Sequence, residues 1–208
     1  MENNINGIAL HFFENKNVQW KQWFYYIEEL MARFNLTPHR GGVHGDNYGW
    51  STYSQTYKGV KRKLEKFNFE KISDIYMRSL TGAGIQDKDP DEYLAAATLG
   101  FRGCYDMELH PESARIYFLV DKELLSHDSD AWVKIAMQFQ QMTKAKYGYF
   151  FEWPLQNHPE SYVSGSVHWR LSSYKLNRKW NDVLWPDNGR IPHCIRQVYR
   201  LNFLSAAQ

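Results

Sequence analysis

Val18-Gln19-Trp20-Lys21-Gln22-Trp23-Phe24-Tyr25-Tyr26-Ile27-Glu28-Glu29-Leu30-Met31-Ala32-Arg33-Phe34 sets Trp20, Trp23, Phe24, Ile27, Leu30, Met31 and Phe34 at steps of three and four. That spacing is a single stripe along an α-helix, so the segment predicts an amphipathic helix with one aromatic face to bury. Just before it, in Ile5 to Phe13, Ile8, Leu10 and Phe12 alternate with small or polar residues, which is the period of a strand. The chain therefore opens strand, then helix. The same order returns later. Arg115 to Val120 is β-branched and aromatic, and Asp128, Ser129 and Asp130 are N-cap candidates for a helix whose stripe is Trp132, Ile135, Ala136, Phe139 and Thr143. Tyr147 to Trp153 then reads as a strand stopped by Pro154.

Between these halves, His39-Arg40-Gly41-Gly42-Val43-His44-Gly45 reads as a loop, its glycines serving turns and bulges. A shorter helix follows with Tyr57, Val60, Leu64 and Phe67 on its apolar side and most of its bases on the other. Ile72 to Leu80 suits a strand or a helix, because Ile72, Ile75 and Tyr76 fit a helical step, and the expectation leans to strand; Ala95 to Phe101 and Tyr105 to Leu109 are expected as strands on either side of Gly103. Beyond Pro154 the chain is punctuated by Pro159, Pro186, Gly189 and Pro192, and a strand-like run from Cys194 to Leu204 closes it. Two strand–helix–strand halves without continuous βαβα alternation imply an α+β fold: a mainly antiparallel sheet with amphipathic helices on one face. The halves share pattern but not residues, and form a candidate structural pseudo-repeat. At 208 residues the expectation is a single domain covering 1–208.

The chain holds 8 Trp, 14 Tyr and 12 Phe, which supply large apolar area together with hydroxyl and indole groups that need polar partners when buried. Such a chain can build a stiff core and still present adhesive patches, so binding is the first expectation. No apolar stretch approaches the roughly 20 residues that span a bilayer, and Met1 to Phe13 lacks the layout of a signal peptide. The expected place is the cytoplasm. Cys104 and Cys194 make no disulfide framework and read as small buried hydrophobes in a reducing compartment. The net charge of +2 is too small to demand a polyanion, but it is unevenly spread. From His168 to Gln208 there are seven bases against two acids, so the first 167 residues are net acidic. A second basic cluster, Lys58, Lys61, Arg62, Lys63 and Lys66, is broken only by Glu65 and has the plain reading of a solvated helix face.

No arrangement of Cys, His, Asp, Glu or Gly has the spacing of a known reaction centre. His39, His44 and Asp46 offer imidazole and carboxylate within eight residues but match no zinc pattern, so no metal is expected. Gly41, Gly42, Gly45 and Gly49 fit neither the P-loop nor the dinucleotide fingerprint. Cys104 with His110 has the elements of a nucleophile and base but lies in a strand-like segment. Asp87, Asp89, Asp91 and Glu92 surround Pro90 in what reads as an exposed loop, where solvent keeps carboxylates ordinary. No catalytic residue and no cofactor are expected; His44, Asp46 and His110 are the first candidates if a pocket is assembled from dispersed residues. Tyr48 to Lys63 interleaves aromatics, hydroxyls and bases. That mixture suits stacking of single-stranded bases, a strand edge leading into a helix, or a protein-binding patch, since Trp, Tyr and Arg dominate hot spots. Nucleic acid is disfavoured by the modest overall charge. The partner-binding candidates are Tyr48, Trp50, Tyr53, Lys58 and Arg62.

Three stretches together carry a resemblance: Gly42 to Lys66 (GVHGDNYGWSTYSQTYKGVKRKLEK), Tyr147-Gly148-Tyr149-Phe150-Phe151 after an amphipathic helix, and Ile195 to Leu204 (IRQVYRLNFL). The chain resembles the small cytosolic α+β immunity proteins encoded beside bacterial polymorphic toxins. The resemblance covers most of the chain and rests on pattern and short aromatic motifs. It implies a protein without catalysis that plugs or covers the active site of a cognate protein toxin, a secreted antibacterial effector; separately, a monomer or homodimer is expected. It carries over no catalytic residue. Inhibitors of basic nucleases tend to be acidic, and this slightly basic chain departs from them, which counts against a nuclease as its target.

Overall fold

The computed structural model describes residues 4–13, 18–48, 55–79, 95–101, 113–124, 129–143, 145, 147–154, 163 and 201–204. In chain order the elements are β1 (Asn4–Phe13), α1 (Trp20–Arg33), β2 (Arg40–Gly45), β3 (Gln55–Thr56), α2 (Tyr57–Lys66), β4 (Ile72–Ser79), β5 (Ala95–Phe101), β6 (Ser113–Asp121), α3 (Ser129–Thr143), β7 (Tyr147–Pro154) and β8 (Leu201–Leu204). The expected strand at Tyr105 to Leu109, and the part of the closing run before Leu201, lie outside the described residues.

Local chemistry sets the helix limits. Thr56 caps α2: its side-chain oxygen accepts from the Gly59 amide at 3.3 Å, satisfying one of the donors a helix start leaves over. Both α1 and α2 end in the same way. Asn35 (φ 56°) and Asn68 (φ 49°) take the left-handed conformation one residue past the cap. The next amides reach back five residues, Leu36 to the Met31 carbonyl and Phe69 to the Leu64 carbonyl, both at 3.0 Å. Asparagine tolerates this backbone better than most residues, and the paired bonds close the helix without glycine.

The strands form one eight-stranded sheet in the order β3-β2-β4-β5-β6-β1-β7-β8, and every neighbouring pair is antiparallel. β6 and β7 both lie against β1, so they run parallel to each other, and α3 carries the chain over that one strand. β1 and β2 are also parallel, with three strands between them that the chain crosses through α1. The two strand–helix–strand halves thus recur as crossovers but do not occupy equivalent places in the sheet.

The segment expected to be a loop, Gly41 to Gly45, is instead a strand between β3 and β4. Its glycines permit close approach. A Cβ on Gly41 would lie 3.0 Å from the Tyr76 carbonyl oxygen, and one on Gly42 would lie 2.0 Å from Cε1 of the Tyr76 ring. Propensity misses such a strand because packing, not the residue's own preference, selects glycine there. Gly45 does serve a bulge: the register shifts between His44 and Gly45, and its φ is 148°.

All three helices contribute to one hydrophobic cluster on one face of the sheet. α1 supplies Trp23, Phe24, Ile27, Leu30 and Met31, α2 supplies Tyr57, Val60 and Leu64, and α3 supplies Trp132, Ile135, Ala136, Phe139 and Met142. Facing them are Val43, Ile75, Met77, Ile116, Phe118, Val120 and Phe150. Phe24 stacks on Tyr57 (5.7 Å), Tyr26 meets Phe139 edge-on (5.5 Å), and Trp132 sits over Phe150 (5.0 Å), so aromatic pairs join each helix to its neighbours. The strands alternate, yet the intervening residues Tyr76, Tyr117, Leu119, Tyr147, Tyr149 and Phe151 are buried too. β6 and β7 are therefore shielded on both faces, and much of the aromatic content is needed there.

Candidate functional site

The Tyr48 to Lys63 segment divides sharply in the structure. Tyr48 follows β2 in a turn closed by its amide on the Gly45 carbonyl at 3.0 Å, and its ring packs edge-on against Phe67 at 5.4 Å. It is 6% exposed, and burial, with the Glu70 carboxylate adding to it, pushes its hydroxyl up to about 12. Its ring area is thus used within the fold, contrary to its expected place on a binding patch. Trp50 and Tyr53 lie outside the described residues. Lys58 and Arg62 are exposed on the outer face of α2.

That face belongs to a ridge formed with α1. Lys61 donates to both Glu28 carboxylate oxygens, at 2.8 and 3.0 Å, and its ammonium lies 5.3 Å from the centre of the Tyr25 ring. The Tyr25 hydroxyl donates to Glu65 at 3.3 Å. The hydrogen bond to Glu28 leads the effects that raise the Lys61 pKa. Lys66 lies 5.2 Å above the Phe67 ring. The result is a mixed-charge surface pinned by Tyr25, Glu28, Lys61 and Glu65, beside which Lys58 and Arg62 project. Lys58 and Arg62 are the two sequence candidates for partner binding that the structure places on this exposed face. Tyr25 is not among those candidates, although it lies off the apolar stripe of α1 and so has to face outward.

Among the described residues, those weighed for catalysis do not converge. His39 lies just before β2 and His44 near its far end, roughly 16 Å apart at strand rise. His44 is buried beside Asp74 in the register, and desolvation lowers its pKa. Asp46 is exposed beyond the bulge, its amide donating to the Lys71 carbonyl. Cys104 and His110 lie outside the described residues. Among the described residues no three of His, Cys, Asp or Glu are placed to hold a metal ion.

An open cleft of about 580 Å³ lies where α1 begins, lined by Val18, Gln19, Trp20, Lys21, Gln22, Asn68 and Phe69. None of these is an acid, a histidine or a cysteine. Nor do the described residues form a broad exposed aromatic patch: their exposed large apolar side chains are Tyr25, Leu124 and Met137, on three separate segments. No helix among the described residues is long and apolar enough to cross a membrane.

No protein-family model matches the chain, and no curated protein matches it by sequence. In three dimensions it is similar to the Pseudomonas aeruginosa T6SS protein PA0821, with a TM-score of 0.50 and 10% sequence identity over 79% of this chain. The chain spans 46% of the length of that protein. At this identity the likeness is one of fold.

Proposed function

We propose that this chain is a cytoplasmic immunity protein that binds a cognate antibacterial effector and neutralises it by stoichiometric contact, without catalysis. The observation that carries the reading is the likeness of fold: a chain whose short aromatic motifs resemble those of immunity proteins is, over 79% of its length, also similar in fold to part of a T6SS protein. The ridge of α1 and α2 suits such a role. Tyr25 and its charged neighbours are held in place before any partner arrives, which lowers the ordering cost of association. Affinity in this reading comes from a few desolvated anchors, and the surrounding charges set association rate and choice of partner.

The test is to express the product of the neighbouring open reading frame in bacteria with and without this chain. Growth arrest relieved by the chain, together with a stable stoichiometric complex of the two purified proteins, is the expected result. A variant carrying His44→Gln, Asp46→Asn, Cys104→Ser and His110→Gln is expected to protect as well as the parent if it keeps the parent's fold by circular dichroism. Loss of protection in that folded variant refutes the non-catalytic reading.

A further inference from the structure

Lys58, Arg62 and Lys66 stand at i, i+4 and i+8 on α2, and all three are exposed. The helical rise places successive charges about 6 Å apart along the axis, roughly 12 Å from end to end. Two features of this stripe oppose the helix that carries it. Like charges four residues apart repel. Lys58 also lies in the first turn, where the helix dipole favours an anion, and that turn contains no acid. Lys61, one residue before Arg62, is paired with Glu28, whereas no ion pair engages Lys58 or Arg62 among the described residues. Charge placed against local stability in an otherwise consistent element marks a surface that serves something other than the fold.

We propose that this stripe is the docking surface for the protein partner, and that the partner meets it with an acidic surface bearing carboxylates at about 6 Å intervals, as an acidic helix with residues at i, i+4 and i+8 would. The inference rests on the immunity reading for its class of partner. It identifies the face and the chemistry of the contact. An anionic partner relieves both local conflicts, because it supplies counter-charges to Lys58 and Arg62 and an anion at the first turn, where α2 has no acid. Tyr25, 37% exposed and fixed by Glu65 and Lys61, stands beside the stripe as an aromatic anchor. A polyanion of uniform charge fits less well, since Glu28 and Glu65 border the bases and would face its phosphates. A protein surface with discrete carboxylates can satisfy the bases and avoid those acids.

The stripe's cost to the helix supplies a diagnostic. Lys58→Glu puts an acid in the first turn and creates a favourable i, i+4 pair with Arg62, so this variant is expected to melt at the same temperature as the parent or higher. It is nevertheless expected to bind the partner more weakly. The experiment measures association of the neighbouring gene's product with the parent, with Lys58→Glu, and with the triple variant Lys58→Glu/Arg62→Glu/Lys66→Glu, at low and physiological salt. The triple variant is expected to associate at least about tenfold more slowly at low salt, with the gap narrowing as salt is added. If the partner binds the parent but both variants associate at the parental rate, the stripe proposal is overturned and the immunity reading stands. If the parent does not bind that product at all, the immunity reading fails. The stripe is then decided by a labelled alanine-rich helical peptide with Glu at i, i+4 and i+8: binding to the parent and not to the triple variant supports it, and equal binding overturns it. A single-stranded oligonucleotide forms the last arm. Submicromolar binding that survives physiological salt and vanishes in the triple variant makes the stripe a nucleic-acid site and overturns the proposal.

Discussion

Replacing Trp132 tests the helix-on-sheet core where three elements meet. The indole is fully buried on α3, with its ring 5.0 Å from Phe150 of β7 and 6.5 Å from Phe118 of β6. A tryptophan buries on the order of 150–250 Å², which at about 25 cal/mol per Å² is worth roughly 4–6 kcal/mol. Measured aromatic-to-alanine changes in cores run to about 3–5 kcal/mol because the site collapses in part. Trp132→Ala is expected to cost that much. At about 2–4 °C per kcal/mol for a chain of this size, the melting temperature falls by roughly 6–20 °C. Trp132→Phe behaves differently. The Trp132 indole nitrogen is buried without a hydrogen-bond partner among the described residues. Phenylalanine keeps most of the ring and removes a donor whose burial costs about 1–3 kcal/mol, so the net loss is expected to stay below about 2 kcal/mol. Urea and thermal unfolding followed by circular dichroism measure both variants. An alanine variant within about 1 kcal/mol of the parent refutes the packing argument. A phenylalanine variant as unstable as alanine refutes the account of the indole nitrogen.

Gly42→Ala is expected to cost about 1–3 kcal/mol by overpacking against the Tyr76 ring, and Tyr76→Leu in the same chain to recover part of it; equal unfolding midpoints for Gly42→Ala and the parent would sink that view of β2. Tyr48 and Tyr57 both have hydroxyls raised by burial above the ordinary value of 10.0, so their contribution is intact below pH 10 and is lost as pH rises toward about 12 for Tyr48. Tyrosinate absorbance is expected to appear together with unfolding in that window; ionisation of both residues near pH 10 in the still-folded protein contradicts this. The lowered pKa of His44 has the opposite sign: its stabilisation is present above about pH 6.5 and declines as pH falls, so His44→Gln is expected to flatten the acid side of the stability curve. The part-buried Lys61–Glu28 pair is expected to contribute about 0.2–1 kcal/mol in a double-mutant cycle, and a coupling above about 2 kcal/mol would show a less solvated pair than the one described.

α1 and α3 were readable from the chain because a helix buries one stripe, and the 3.6-residue period of Trp23, Phe24, Ile27, Leu30 and Met31, or of Trp132, Ile135, Ala136 and Phe139, is local information. Alternation and aromatic content likewise announced β6 and β7, and the order of elements was enough for the α+β class. The helix stops at Phe34-Asn35-Leu36 and Phe67-Asn68-Phe69 carry a local signal too, an asparagine followed by an apolar residue that folds back on the helix, but apolar periodicity does not register it and the backbone revealed it. The basic run on α2 pointed to Lys58 and Arg62 for the same local reason. Tertiary structure alone decided the rest. β2 is a strand because β4 lies against it and Tyr76 fills the space over Gly42, a contact between residues 34 positions apart that no window contains. Tyr48 is core and not surface because Phe67 returns to meet it. Lys61 is neutralised by Glu28 while Arg62 is not, and that difference arises only when α1 and α2 lie side by side. Periodicity reports which side of an element is apolar; which side meets a neighbour, and which charge is left facing solvent, depends on pairings whose energy comes from the folded whole.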